Sequence, residues 1–135
     1  MKNLRSILAA LAVLLMATAA NAQQTKVTAT VPFNFIAGDR VYPAGDYSIS
    51  SNGFLLKITN DEKSELMLSH ACESLSVPAD TKLVFDSIGG NYFLRRIWVA
   101  GNSFGRELPR SHAEVRLAQN QDHVESVIVA ANIAR

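Results

Sequence analysis

Apolar side chains fall on alternate positions from Val27: Val27, Ala29, Val31, Phe33 and Phe35. Period two puts all five on one face of a strand, with Lys26, Thr28, Thr30 and Asn34 on the other. Pro32 has no ladder donor, so it predicts an edge strand or a bulge. Ala37-Gly38-Asp39-Arg40 breaks the run. Pro43-Ala44-Gly45 reads as a turn that folds Val41-Tyr42 back against Asp46-Tyr47.

The next two runs, Asp46 to Ser51 and Phe54 to Thr59, flank Asn52-Gly53. Asn-Gly between alternating runs is a strong hairpin signal, because a type I′ turn needs positive φ twice. A loop of those two residues sets Ile49 opposite Leu56 and Tyr47 opposite Ile58, with all four on one face. Beyond Asn60-Asp61-Glu62-Lys63, an even loop would place Ile58 opposite Glu65. An odd loop places it opposite Leu66, and Leu56 opposite Leu68. The pattern therefore predicts an odd loop and one strand from Ser64 to Cys72, with His70 and Cys72 continuing the Leu66-Leu68 face.

Glu73 to Asp80 reads as a crossing loop. Thr81 to Ser87 is a strand with Leu83 and Phe85 on one side, and Gly89-Gly90 permits a tight hairpin into Tyr92 to Val99. That strand is apolar on both faces, and its adjacent Arg95 and Arg96 must point opposite ways. Burying one unpaired would be costly, so Asp86 or Glu107 is expected as its partner. Ser111 followed by Glu114 fits a capping box for a helix from His112 to Gln119, with Ala113, Val115, Leu117 and Ala118 as its apolar stripe. Val124 to Ile133 is a final strand, apolar enough to be central or covered on both faces. The fold class is mainly β: a small antiparallel sandwich or barrel of about seven strands with one short helix in the C-terminal region.

Upstream of this domain the pattern changes. A basic start with Lys2 and Arg5 precedes an apolar run from Ile7 to Ala20, ending in Ala20-Asn21-Ala22. That is a secretory leader with a small-x-small cleavage site, too short for a spanning helix. Residues 1–22 are expected to be removed. Residues 23–135 then form a single domain of about 113 residues, periplasmic or extracellular, with no stable membrane span.

Of thirteen Lys and Arg, the leader takes two, leaving 11 against 12 acids. This balance and the lack of a basic patch argue against nucleic acid. Cys72 is the only cysteine. It has no internal disulfide partner, and the expected role is a small core side chain.

Two stretches carry a resemblance. Val31-Pro32-Phe33-Asn34-Phe35 with Pro43-Ala44-Gly45-Asp46-Tyr47 is one. Tyr92-Phe93-Leu94, Trp98 and Gly105-Arg106-Glu107-Leu108-Pro109-Arg110-Ser111 is the other. Together they resemble a family of short exported proteins of soil bacteria, over most of the chain after the leader. The resemblance implies export. It implies no activity and no catalytic residues.

Candidate chemistry is sparse. His70 and Cys72, two apart on one strand face, offer two metal ligands where a structural zinc site needs four. No Gly-x-Ser-x-Gly elbow is present, and a Cys72–His pair lacks local support. Asp39, Asp46, Asp61 and Glu62 lie in predicted turns, where turn chemistry accounts for them. Phe104, in the Gly-flanked loop Gly101 to Gly105, and Trp98, just before it, are the candidates to line a ligand groove or partner surface. Arg106 and Glu107 are candidates to bind a partner or to fix the loop by ion pairs.

The leading expectation is therefore a non-enzymatic binding or structural module of the envelope or exterior, with no cofactor. Its partner would be an envelope protein, a glycan or a small ligand. Two alternatives stand beside it: a metal-binding protein or small enzyme using His70 and Cys72, and an assembly protein polymerising through the strand that contains Pro32.

Overall fold

The computed structural model describes Asn3, residues 25–120 and residues 123–134. The leader and its cleavage site lie outside the described residues. Among the described residues, twelve strands and one helix follow in chain order: β1 (Lys26–Val31), β2 (Phe35–Ala37), β3 (Arg40–Tyr42), β4 (Gly45–Asn52), β5 (Leu55–Thr59), β6 (Ser64–Leu68), β7 (His70–Glu73), β8 (Lys82–Ile88), β9 (Asn91–Trp98), β10 (Phe104–Glu107), α1 (His112–Gln119), β11 (Glu125–Ala130) and β12 (Asn132–Ala134). They form two sheets and no closed barrel. The first sheet runs β12-β1-β4-β5-β6. The second runs β11-β8-β9-β10-β7, with β2 alongside β9 and β3 paired to β2. Among the described residues no helix is long and apolar enough to cross a membrane.

There are more strands than the alternation predicts because three long runs each change sheets midway and because Phe104–Glu107, read as loop, forms β10. The Val27–Phe35 run breaks at Pro32, so β1 belongs to the first sheet and β2 to the second. The Ser64–Cys72 run breaks at Ser69, and the final run breaks at Ala131, whose N–H donates to the Thr81 carbonyl at 3.0 Å. The final strand is therefore neither central nor covered on both faces. Its halves are the edge strands of the two sheets, and Ile128 is exposed. The strand that leads into Pro32 is not an edge either. β1 pairs with β4 along its whole length and with β12 at Lys26 to Thr28, so it offers no long free edge for polymerisation.

Two hairpin registers differ from the expected ones. In the first, Ile49 faces Ile58 and Asn52 faces Leu55, so the two loop residues are Gly53 and Phe54. Gly53 has φ +58°, while Asn52 stays extended as the last residue of β4. Glycine at the first central position followed by a residue with negative φ is the II′ arrangement, which competes with I′ for the same Asn-Gly. The shift is by two pairing positions, so Tyr47, Ile49, Leu56 and Ile58 still share the buried face.

In the second hairpin the loop is even, and Ile58 does sit opposite Glu65. Leu66 and Leu68 consequently face outward and are exposed. The inward acid is tolerated because it is paired. Tyr42 Oη donates to its Oε2 at 2.5 Å, and Arg40 Nη1 lies 2.6 Å from its Oε1. The Tyr42 hydrogen bond, with Arg40 and Lys63 beside it, holds the Glu65 carboxyl below its ordinary range. Alternation alone cannot see a partner supplied by β3.

The core fills the space between the sheets. From the first sheet come Val27, Val31, Tyr47, Ile49, Leu56 and Ile58; from the second come Phe35, Leu83, Phe85, Leu94 and Ile97. Phe35 is its aromatic centre. Its ring lies 5.1–5.4 Å from those of Tyr42, Tyr47 and Phe85, two of the three contacts being edge-on.

A bulge explains why β9 is apolar on both faces. Phe85 pairs with Leu94 and Val84 with Arg96, so Arg95 is the extra residue. Leu94 and Ile97, three apart, both face inward, while Phe93, Arg96 and Trp98 take the outer face. Arg95 is only 5% exposed. Its Nε donates to Asp86 Oδ2 at 3.0 Å, its Nη1 donates to the Leu108 carbonyl at 3.0 Å, and its Nη2 contacts the Glu114 carboxylate. Both expected acids are used, but they are divided: Asp86 serves Arg95, and Glu107 serves Arg96 at 3.0 Å.

Helix α1 starts at the expected place, with Ser111 Oγ accepting from the Glu114 N–H at 3.1 Å. Its anchor is not the apolar stripe. Val115 is exposed, and the buried helical residue is Glu114, turned onto Arg95.

Replacing Arg95 with Met would leave Asp86 and Glu114 as uncompensated carboxylates against the sheet. The expected loss is about 3–5 kcal/mol of unfolding free energy in urea titrations. A loss below about 1 kcal/mol would show that the helix and sheet do not depend on this pairing.

Candidate functional site

At one end of the sandwich the two sheets part and the core opens to solvent. The opening is a cleft of about 190 Å³. Val27, Ile49 and Leu56 form its wall on the first sheet; Ile97, Val99 and Phe104 form it on the second. Ala71 and Arg106, which face each other in register on β7 and β10, complete the second wall. Ala71 is the reason the end stays open. It is the inward residue of β7 at this level, and a methyl group is too short to close the gap between the sheets.

Phe104 is held at the rim. Its N–H donates to Asn102 Oδ1 at 3.0 Å, and the residue is 56% exposed. An exposed phenyl at the mouth of an apolar cleft is ready to cover a bound group. Arg106, half-buried beside it, grips the corner where the chain changes sheets. Its Nε donates to Ser69 Oγ at 3.0 Å and its Nη2 to the Ser69 carbonyl at 3.0 Å. Ser69 in turn donates its N–H to the Phe54 carbonyl at 2.7 Å. No carboxylate of a described residue pairs with Arg106, and its Nη1 makes no hydrogen bond to a described residue.

The other candidates fall elsewhere. Trp98 is buried on the outer face of the second sheet, not in the cleft. A Cβ at Gly105 would lie 2.6 Å from its ring carbon Cε3 and 2.7 Å from the Ile97 carbonyl oxygen, so glycine is required beneath the indole. Glu107 is on the same outer face, paired with Arg96 and 3.9 Å from His70 Nε2. The segment Gly105 to Pro109, expected to be a constrained loop, has its first three residues in strand β10. Residues missed by the sequence reading are Ala71, Ile97 and Val99, which look like ordinary strand residues; only the parting of the sheets marks them.

His70 and Cys72 do share a face, as their spacing predicts, opposite Glu107 and Gly105. They acquire no further ligands: among the described residues, no group of three or more His, Cys, Asp or Glu could hold a metal ion. Burial, with Glu107 nearby, pushes the Cys72 thiol up from its ordinary value. A thiol so shifted stays protonated at neutral pH and is a poor nucleophile.

A wider groove of about 490 Å³ lies across the outer face of the first sheet, floored by Thr28, Thr30, Asp46, Ser48 and Asn132. Its polar groups serve one another, Thr30 bonding to Asp46 and Thr28 to the Asn132 carbonyl. It lacks the apolar walls of the end cleft.

No family model, no curated protein and no solved structure matches the chain.

Alkylation of Cys72 by iodoacetamide at pH 7.5 should run at least about tenfold slower in the folded protein than in denaturant. A folded rate equal to or above the denatured one would restore a reactive-thiol role for this residue.

Proposed function

We propose that the protein is an exported, non-enzymatic β-domain of the cell envelope or exterior that binds a small apolar group in the end cleft. The observation that carries this reading is the meeting of an apolar opening in the core, an exposed Phe104 and a guanidinium with no acid partner. A few convergent polar groups on a largely apolar concavity are the usual make-up of a small-ligand site. Export is supported by the basic start, the apolar run and Ala20-Asn21-Ala22. The non-enzymatic reading rests on the raised Cys72 thiol, which makes the one cysteine a poor nucleophile.

The cleft is a little larger than the ~150 Å³ engineered cavity that takes benzene. Benzene titrated into the mature protein should move the amide NMR signals of Ala71, Ile97, Phe104 and Arg106 and leave those of Thr28 and Ser48 in place. Ala71→Trp, which fills the opening from an exposed position, should abolish the shifts. Saturation without shifts at the cleft would overturn the reading. In cells, the protein recovered from outside the cytoplasm should begin at Gln23; recovery of the uncleaved chain in the cytoplasm would remove the exported part of the proposal.

A further inference from the structure

We infer that the cleft selects an amphipathic anion: a small carboxylate whose alkyl chain or single ring enters between the sheets while its head group meets Arg106. The inference rests on the cleft being a binding site and adds the chemistry of what it takes.

Each of the other arginines on the described strands has its acid: Arg40 has Glu65, Arg95 has Asp86 and Glu114, and Arg96 has Glu107. Arg106 alone of these is held by a neutral group, the hydroxyl and carbonyl of Ser69. Those bonds fix the guanidinium in place without neutralising it. Glu73 stands in register with Phe104 on the same face, yet forms no ion pair with Arg106. A fixed, uncompensated guanidinium beside apolar walls favours an anion over a neutral ligand, because a charge-assisted hydrogen bond is the stronger kind. With Nε and Nη2 committed to Ser69, Nη1 is the arm left to donate to a carboxylate oxygen.

Size then limits the tail. About 190 Å³ holds one ring or a short alkyl chain and excludes a long-chain lipid lying wholly inside. The position of Arg106 at the cleft wall, next to the rim residue Phe104, puts head group and opening on the same side. The tail would thus enter first, along Ile49, Leu56 and Ile97.

The test compares octanoate with octanol by calorimetry, since the two share a tail and differ in charge. Wild-type protein should bind octanoate roughly tenfold more tightly. Arg106→Gln should bring octanoate to the octanol level while octanol binding persists, which also reports that the variant is folded. Ala71→Trp should abolish binding of both. Equal affinity of the wild type for the two ligands would overturn the anion inference and leave the cleft reading standing, whether or not the Arg106 variant folds. Binding that survives Ala71→Trp, or no binding of either ligand, would overturn the cleft reading and the inference with it.

Discussion

The packing of the second sheet depends on one buried cation. Arg95 is the bulge residue of β9, and the bulge lets Leu94 and Ile97 both reach the core. The same bulge turns the guanidinium toward Asp86 on β8, Glu114 on α1 and the Leu108 carbonyl. A cation taken out of water is costly unless it is paired and hydrogen-bonded. Here the partners come from three chain segments, so satisfying one charge fixes the outer face of the sheet, the start of the helix and the strand end between them. The Leu108 N–H closes the arrangement by donating to the Arg95 carbonyl at 2.9 Å.

The two sequence motifs are mostly occupied by such ties. In the first, Asn34 Oδ1 accepts the Ala44 N–H at 2.9 Å, Tyr47 Oη donates to the Pro43 carbonyl, and Phe35 fills the centre of the core. In the second, Gly105 lies beneath Trp98, Glu107 holds Arg96, Leu108 serves Arg95 and Ser111 caps the helix. Arg106 differs. It ties Ser69 in place, as a structural residue would, yet no carboxylate among the described residues pairs with its charge. That surplus separates a candidate site from the scaffold around it.

Much of the fold is legible in the sequence because it follows from local pattern. Alternation gives the strands, the Gly89-Gly90 turn joins β8 to β9 with both glycines at positive φ, and Ser111 starts the helix where expected. Misreadings arise where a distant residue decides. Glu65 faces inward because Tyr42 and Arg40, on another strand, accept its charge. Glu114, an acid, anchors the helix because Arg95 lies beneath it. The candidate site is harder still to read. Phe104 and Arg106 stand out in a loop-like segment, but Ala71 acts only by being small at the level where the sheets separate, and nothing local marks that level.

The chain passes between the sheets after Val31, at Pro43-Ala44, at Ser69 and again at Ala131, and its last described strand lies against its first, with Lys26 opposite Ala134. Neither layer is therefore made of one continuous piece. A chain emerging from a ribosome or a pore cannot complete either layer until its final residues are free. β1 waits for β12, and β8 waits for β11. Such pairings, more than a hundred residues apart in the first case, make folding late and all-or-none rather than progressive.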